Sequence, residues 1–159
     1  MKSGELREEI SIELESIETI LKELINLYKE ILNREPSVPE KTAAATFLAQ
    51  IYGGIENILK RINRFYNISL PTGDTWHIDL FMRFREPDNK PLPNLFDNDL
   101  ASDMAAFRKF RHVVYHGYGF QLDWNRMKEG IESVENVYLR FKARLLFYLD
   151  TLCNEEKYK

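Results

Sequence analysis

Eight apolar residues near the C-terminus, Met127, Ile131, Val134, Tyr138, Phe141, Leu145, Tyr148 and Leu152, step by three and four without a break. That spacing lines them along one face of a helix of about seven turns. A single apolar stripe on a helix is stable only where something covers it. The chain supplies cover of similar length. Leu14, Ile17, Leu21, Leu24, Tyr28 and Ile31 repeat the pattern and predict a helix from about Gly4 to Asn33, ending before Pro36. Phe47, Ile51, Ile55, Ile58, Ile62 and Phe65 predict a second, from Pro39 to Tyr66. Ser37-Val38-Pro39-Glu40 reads as its capping box, with the proline early in the first turn where its missing N–H costs little. Gly53-Gly54 falls mid-helix at a propensity cost of about 1 kcal/mol each. Such a pair marks a kink or a close approach of another helix, and close approach is the expectation here.

The shorter elements follow from breakers. Residues 67–73 punctuate the chain, and Asp74 stands where it can cap a short helix from Thr75 to about Arg85. Pro87, Pro91 and Pro93 make Glu86 to Asn94 a loop. A fourth helix should start near Asp97–Asp99, carry Leu100, Met104 and Phe107, and end at Gly117 and Gly119; Asp123 can then cap the fifth. No strand, repeat or low-complexity segment is evident. The expected fold is all-α, an up-and-down bundle of about five helices, with residues 1–159 forming one domain. No apolar run approaches the roughly 18 residues of a membrane span, and the N-terminus lacks a signal-peptide pattern. A lone cysteine, Cys153, rules out an intrachain disulfide and suits a reducing compartment. These features predict a cytoplasmic protein with no membrane association.

Chemistry concentrates in Arg111-His112-Val113-Val114-Tyr115-His116-Gly117-Tyr118. Arginine brings fixed charge and a donor fork suited to phosphate, and histidine exchanges a proton near neutral pH. The net charge of −3 argues against a polyanionic partner until its distribution is considered. Residues 1–35 carry five Lys/Arg against nine Asp/Glu, a balance of −4. Residues 104–128 carry Arg108, Lys109, Arg111, Arg126 and Lys128 against Asp123 alone, a balance of +4 centred on the motif. Arg111 and His116 lie about 140° apart on a regular helix, so convergence needs a loosened helix at His116-Gly117 or a second subunit. His112 and His116 are four apart and share a face.

Arg111, His116 and Tyr118 spell Arg-x-x-x-x-His-x-Tyr, which resembles the signature of HEPN ribonucleases, in particular the HepT-like toxins of prokaryotic toxin–antitoxin pairs. The likeness extends to Tyr52-Gly53-Gly54-Ile55-Glu56-Asn57-Ile58, to Trp76-His77 and to Phe110-Arg111-His112-Val113-Val114, spanning most of residues 45–150. The long acidic first helix departs from it. The resemblance implies a HEPN-like fold, a homodimer with two motifs facing one cleft, and metal-independent cleavage of messenger or transfer RNA to a 2′,3′-cyclic phosphate and a 5′-hydroxyl. No cofactor is implied. Arg111 would stabilise charge on the scissile phosphate, and His116 would be the general base or acid. His112 would orient its neighbours and Tyr118 would help place the substrate. Arg108, Lys109, Arg126 and Lys128 are candidate RNA contacts. A minimal nucleotidyltransferase antitoxin would neutralise the toxin by transferring AMP onto Tyr118. Some members of this branch lack the motif histidine; His116 favours the active form.

Each residue also has a structural reading. Arg111 can pair with Glu56 or with a glutamate of the last helix. His116 can cap the helix C-terminus, and Tyr115 and Tyr118 can be packing aromatics, with Tyr115 expected to be buried. His112 and His116 have zinc-ligand spacing, but two ligands do not make a site, and His77 is distant in sequence. His77 beside Trp76 reads as a packing pair at a helix start. The alternative function is a non-catalytic HEPN module that binds a nucleotidyltransferase partner or a nucleotide.

Overall fold

A computed structural model of the chain describes residues 1–85, 89–117 and 121–159. Five helices follow in order: α1 (Ser3–Ile31), α2 (Val38–Phe65), α3 (Trp76–Met82), α4 (Asn98–His116) and α5 (Trp124–Lys157). The only β pairing among the described residues is an isolated bridge between Arg85 and Phe96. The fold is all-α, a HEPN-like helical bundle. The long seams bury as their spacing requires: Leu6 to Leu24 on α1, Ala44 to Ile62 on α2 and Met127 to Leu149 on α5 belong to one apolar cluster, and Ile31 is buried as well. No helix among the described residues is long and apolar enough to cross a membrane.

Charged pairs set the register between the long helices. Ser3 donates to Glu156, Arg7 pairs with Asp150 at 2.7 Å, Lys142 and Tyr138 donate to Glu18, and Tyr28 donates to Glu132. The partner numbers fall as the α1 numbers rise, so α1 and α5 run antiparallel. Arg61 of α2 reaches Glu9 at 2.7 Å and Glu13 at 3.0 Å. These contacts show where much of the acidic face of α1 is used. It neutralises cations of its neighbours.

The caps agree with the sequence at three helices. Ser37 accepts from the Glu40 N–H while the Glu40 side chain accepts from the Ser37 N–H. Asp97 caps α4 through the Leu100 N–H at 2.8 Å, and Asp123 caps α5 through Asn125 and Arg126. The third helix differs. Its N-cap is Thr75, with no side-chain cap, and Asp74 lies one residue too early to serve. It also stops at Met82, because the Phe84 carbonyl accepts the N–H groups of Leu95 and Phe96 and turns the chain there. Of the proline-bearing loop, residues 86–88 lie outside the described residues; Leu92, Leu95 and Phe96 fold inward, Phe96 lying between Phe81 and Phe141. This segment holds α3 against the bundle beside α4.

The two mid-helix glycines separate cleanly. A Cβ at Gly54 would stand 2.5 Å from Ile17 Cγ1, so α1 and α2 touch there, as expected of a close approach. A Cβ at Gly53 would meet nothing within 4 Å. Gly54→Ala is therefore expected to lose stability, the overpacking cost of about 1–3 kcal/mol outweighing the propensity gain. Gly53→Ala is expected to gain about 0.5–1 kcal/mol. Thermal melts of the two variants check this; equal and opposite shifts from those stated would refute the packing assigned to Gly54.

Candidate functional site

Arg111 leaves α4 toward α2 and α3 rather than toward solvent. Its Nε forms an ion pair with Glu56 Oε1 at 3.0 Å, and its Nη1 lies 3.0 Å from His77 Nε2. The other carboxylate oxygen, Glu56 Oε2, lies 2.6 Å from His77 Nδ1. Glu56 is only 4% exposed, whereas the Arg111 side chain keeps 23% of its surface in water. The sequence alternative in which Arg111 pairs with Glu56 is thus observed, but against a buried carboxylate rather than at an exposed surface. A carboxylate so placed needs donors on both oxygens, and it has them.

Hydrogen-bond logic sets the imidazole tautomer. Arginine only donates and an ionised carboxylate only accepts. His77 therefore carries its proton on Nδ1, facing Glu56, and presents the Nε2 lone pair to Arg111. The ring is fixed further by Trp76, whose centroid lies 3.4 Å away. The packing pair read from the sequence exists, yet the same histidine also bonds to the motif arginine. Lys60 and Arg111 both lie over the Trp76 ring, at 4.5 and 5.6 Å. Beneath this cluster burial, followed by the charge of Glu56, pushes the Tyr52 phenol up.

His112, Tyr115 and His116 face outward. α4 stays helical through His116, and the Gly117 N–H still donates to Val113. The helix thus does not loosen before Gly117. His112 and His116 sit ring to ring at 4.7 Å, the shared face their spacing demands. Both are exposed, and both line a groove of about 690 Å³ together with Arg108, Lys109, Arg111, Trp76 and His77. Arg111 and His116 reach that groove from different sides of one regular helix. Tyr115, expected to be buried, is 62% exposed, its ring 5.1 Å from the Arg111 guanidinium carbon. Phe107 and Phe110 take the face of α4 that packs on α5 at Gly130, whereas Tyr115 sits at the rim of a groove beside α1 and α2.

A second groove, of about 740 Å³, runs along the other flank of α4 between it and the start of α5. Lys109 lines both grooves and Arg126 lines this second one, while Lys128 lines neither. Gly130 lets the Phe110 ring seat against α5, a Cβ there standing 2.9 Å from it, and so positions the helix carrying Arg111. Tyr118 lies outside the described residues. Among the described residues no cluster of three or more metal-ligating side chains is grouped.

A family model described as HepT-like protein matches residues 43–152, well over half of the chain. No curated protein and no solved structure matches it. The chain belongs to the HepT-like family, of HEPN type. The matched range contains Glu56, His77 and the whole of the Arg111–Tyr118 motif. Sequence reading placed Glu56 only as a candidate partner and discounted His77. The available signal was a glutamate at the buried step of α2, between Tyr52 and Leu59, which no apolar seam explains.

A double-mutant cycle tests the clamp on Arg111. Glu56→Ala and Arg111→Ala are expected to couple by about 1–3 kcal/mol in chemical denaturation, because each single change strands a partly buried charged group. Additive effects would mean that the guanidinium is not held by Glu56.

Proposed function

We propose that this chain is a metal-independent endoribonuclease toxin acting on messenger or transfer RNA, neutralised by a minimal nucleotidyltransferase antitoxin. The observation that carries the reading is the convergence of Arg111, His112 and His116 on one open groove in a HepT-like chain. Glu56 and His77 occupy Nε and Nη1 of Arg111, and among the described residues Nη2 makes no hydrogen bond. That nitrogen is left for a phosphate oxygen, in an orientation set before the substrate arrives. His116 exchanges the proton of the reacting ribose or leaving group, and His112 orients it from ring-contact distance. Arg108 and Lys109 draw the polyanion to the same groove, and Arg126 and Lys128 extend the positive field toward α5. The working unit is a single-domain chain paired as a cytoplasmic homodimer, its two motif helices facing one cleft.

Purified protein incubated with RNA in EDTA is expected to leave 2′,3′-cyclic phosphate and 5′-hydroxyl ends. Arg111→Ala and His116→Ala should each slow cleavage by about 10²-fold or more, with His112→Ala intermediate. Cleavage by His116→Ala at the wild-type rate would reject the mechanism. Light scattering at micromolar concentration should give a dimer; an active monomer would reject the shared cleft.

Control falls to Tyr118, between Gly117 and Gly119. One AMP on its phenol would place an anion and a base in the path of the RNA and offer Arg111 the wrong phosphate. Intact-mass and peptide mass spectrometry after co-expression with the nucleotidyltransferase and ATP should find adenylate on wild type and none on Tyr118→Phe. Undiminished modification of Tyr118→Phe would move the acceptor elsewhere, the exposed Tyr115 being the nearest alternative. The ion pair of Arg111 with Glu56 is the one observation that favours the second reading, a non-catalytic HEPN module binding a nucleotidyltransferase or a nucleotide. Under that reading the complex forms and RNA stays intact.

A further inference from the structure

Transesterification of RNA needs two proton transfers: one from the 2′-hydroxyl as it attacks and one to the 5′-oxygen as it leaves. His116 accounts for one of them in a given groove. The geometry points to His77, oriented by Glu56, as the second proton-transfer group of the same groove. The inference rests on the ribonuclease reading and assigns it a further catalytic residue, with Glu56 as the positioning residue behind it.

Three features of the groove support it. The Nδ1–H of His77 faces a carboxylate at 2.6 Å, the arrangement that fixes one tautomer and stabilises the imidazolium formed when Nε2 takes a proton. Nε2 points toward the arginine proposed to hold the phosphate, 3.0 Å from its Nη1. His77 lines the same groove as His112 and His116 while its ring is pinned by Trp76, so the group is both reachable and rigid. A packing histidine would need neither a buried carboxylate nor a groove-facing nitrogen.

Arg111 keeps its place with Nη2 on the scissile phosphate, and the 2′-hydroxyl displaces Nη1 as the donor to the Nε2 lone pair. Nε2 takes the 2′-hydroxyl proton, the 2′-oxygen forms its bond to phosphorus, and the bond from phosphorus to the 5′-oxygen breaks. His116, starting as the imidazolium, gives its proton to that leaving oxygen. The cyclic phosphate and the 5′-hydroxyl depart, and solvent water returns the proton from His77 and reprotonates His116. The charged and titratable groups facing His77 are Glu56 and Lys60 from α2, Asp74 from the approach to α3, and Arg108, Lys109, Arg111, His112 and His116 from α4.

The test measures rate against pH for wild type, His77→Gln, Glu56→Gln and His116→Ala. A base must be unprotonated to act, so His77→Gln is expected to lower kcat by about 10²-fold, leave KM within about threefold and flatten the limb that rises with pH. His116→Ala should flatten the falling limb instead. Glu56→Gln keeps an acceptor for Arg111 but cannot accept from both neighbours, and should lower kcat by about tenfold. Wild-type kcat and pH profile in His77→Gln, with Arg111→Ala inactive in the same assay, would overturn this inference and leave the ribonuclease reading standing. Wild type inactive on all RNA would overturn both. Nitrogen-15 spectra of wild type provide a check that does not depend on variants folding: Nδ1 should carry the proton, and a 2′-O-methyl oligonucleotide, which cannot be cleaved, should shift Nε2. The other tautomer, or no shift at saturation, would overturn the role of His77.

Discussion

A carboxylate removed from water must have its charge matched and both oxygens satisfied, and Glu56 meets that requirement with a single arginine and a single histidine. Three helices are tied together by this one group: Glu56 on α2, His77 on α3 and Arg111 on α4. α3 has only seven residues and no side-chain cap, so its own helix propensity cannot hold it in place. Its position comes from Leu80 and Phe81 in the core and from this polar tie at its first turn. Without Glu56 the groove would lose one wall and the arginine its orientation together.

The same tie divides the labour within the motif. Arg111 is drawn inward and made rigid, while His112, Tyr115 and His116 remain on the open side of α4. A side chain that must stabilise developing charge benefits from being fixed beforehand, since no reorganisation is then needed at the moment of reaction. A side chain that must exchange protons with substrate and solvent benefits from exposure. Under the proposed ribonuclease activity both would be supplied within two turns of one helix, and the end of that helix at Gly117 keeps the second histidine at the rim.

The long elements were legible because their period is local: each apolar step of three or four places its residue on the same face whatever the rest of the chain does. Ser37, Asp97 and Asp123 were legible as caps for the same reason, their partners lying two or three residues away. The pair of grooves and the clamp were not. Glu56 and His77 are separated by 21 residues, and His77 and Arg111 by 34, with turns between whose path no period encodes. Gly53 and Gly54 look alike in the sequence, and only the position of Ile17 shows which of them is needed. The exposure of Tyr115 depended likewise on which faces of α4 its neighbours happened to cover.

Charge distribution makes a chain of net charge −3 compatible with the polyanion proposed for its groove. Glu9 and Glu13 answer Arg61, Glu18 answers Lys142, and Asp150 answers Arg7, so part of the negative charge of the α1–α5 layer is cancelled where it stands. Such pairs are exposed in part and add little stability individually. Their greater effect is on the field. At physiological salt a charge is felt over about 8 Å, so an approaching ligand experiences the groove and its rim rather than the molecular sum. At that rim stand Arg108 and Lys109 beside Arg111, and the buried Glu56 cancels only one of the three. The acidic first helix and the basic fourth are therefore compatible: the first holds the bundle in register, and the fourth presents the cationic rim of the groove.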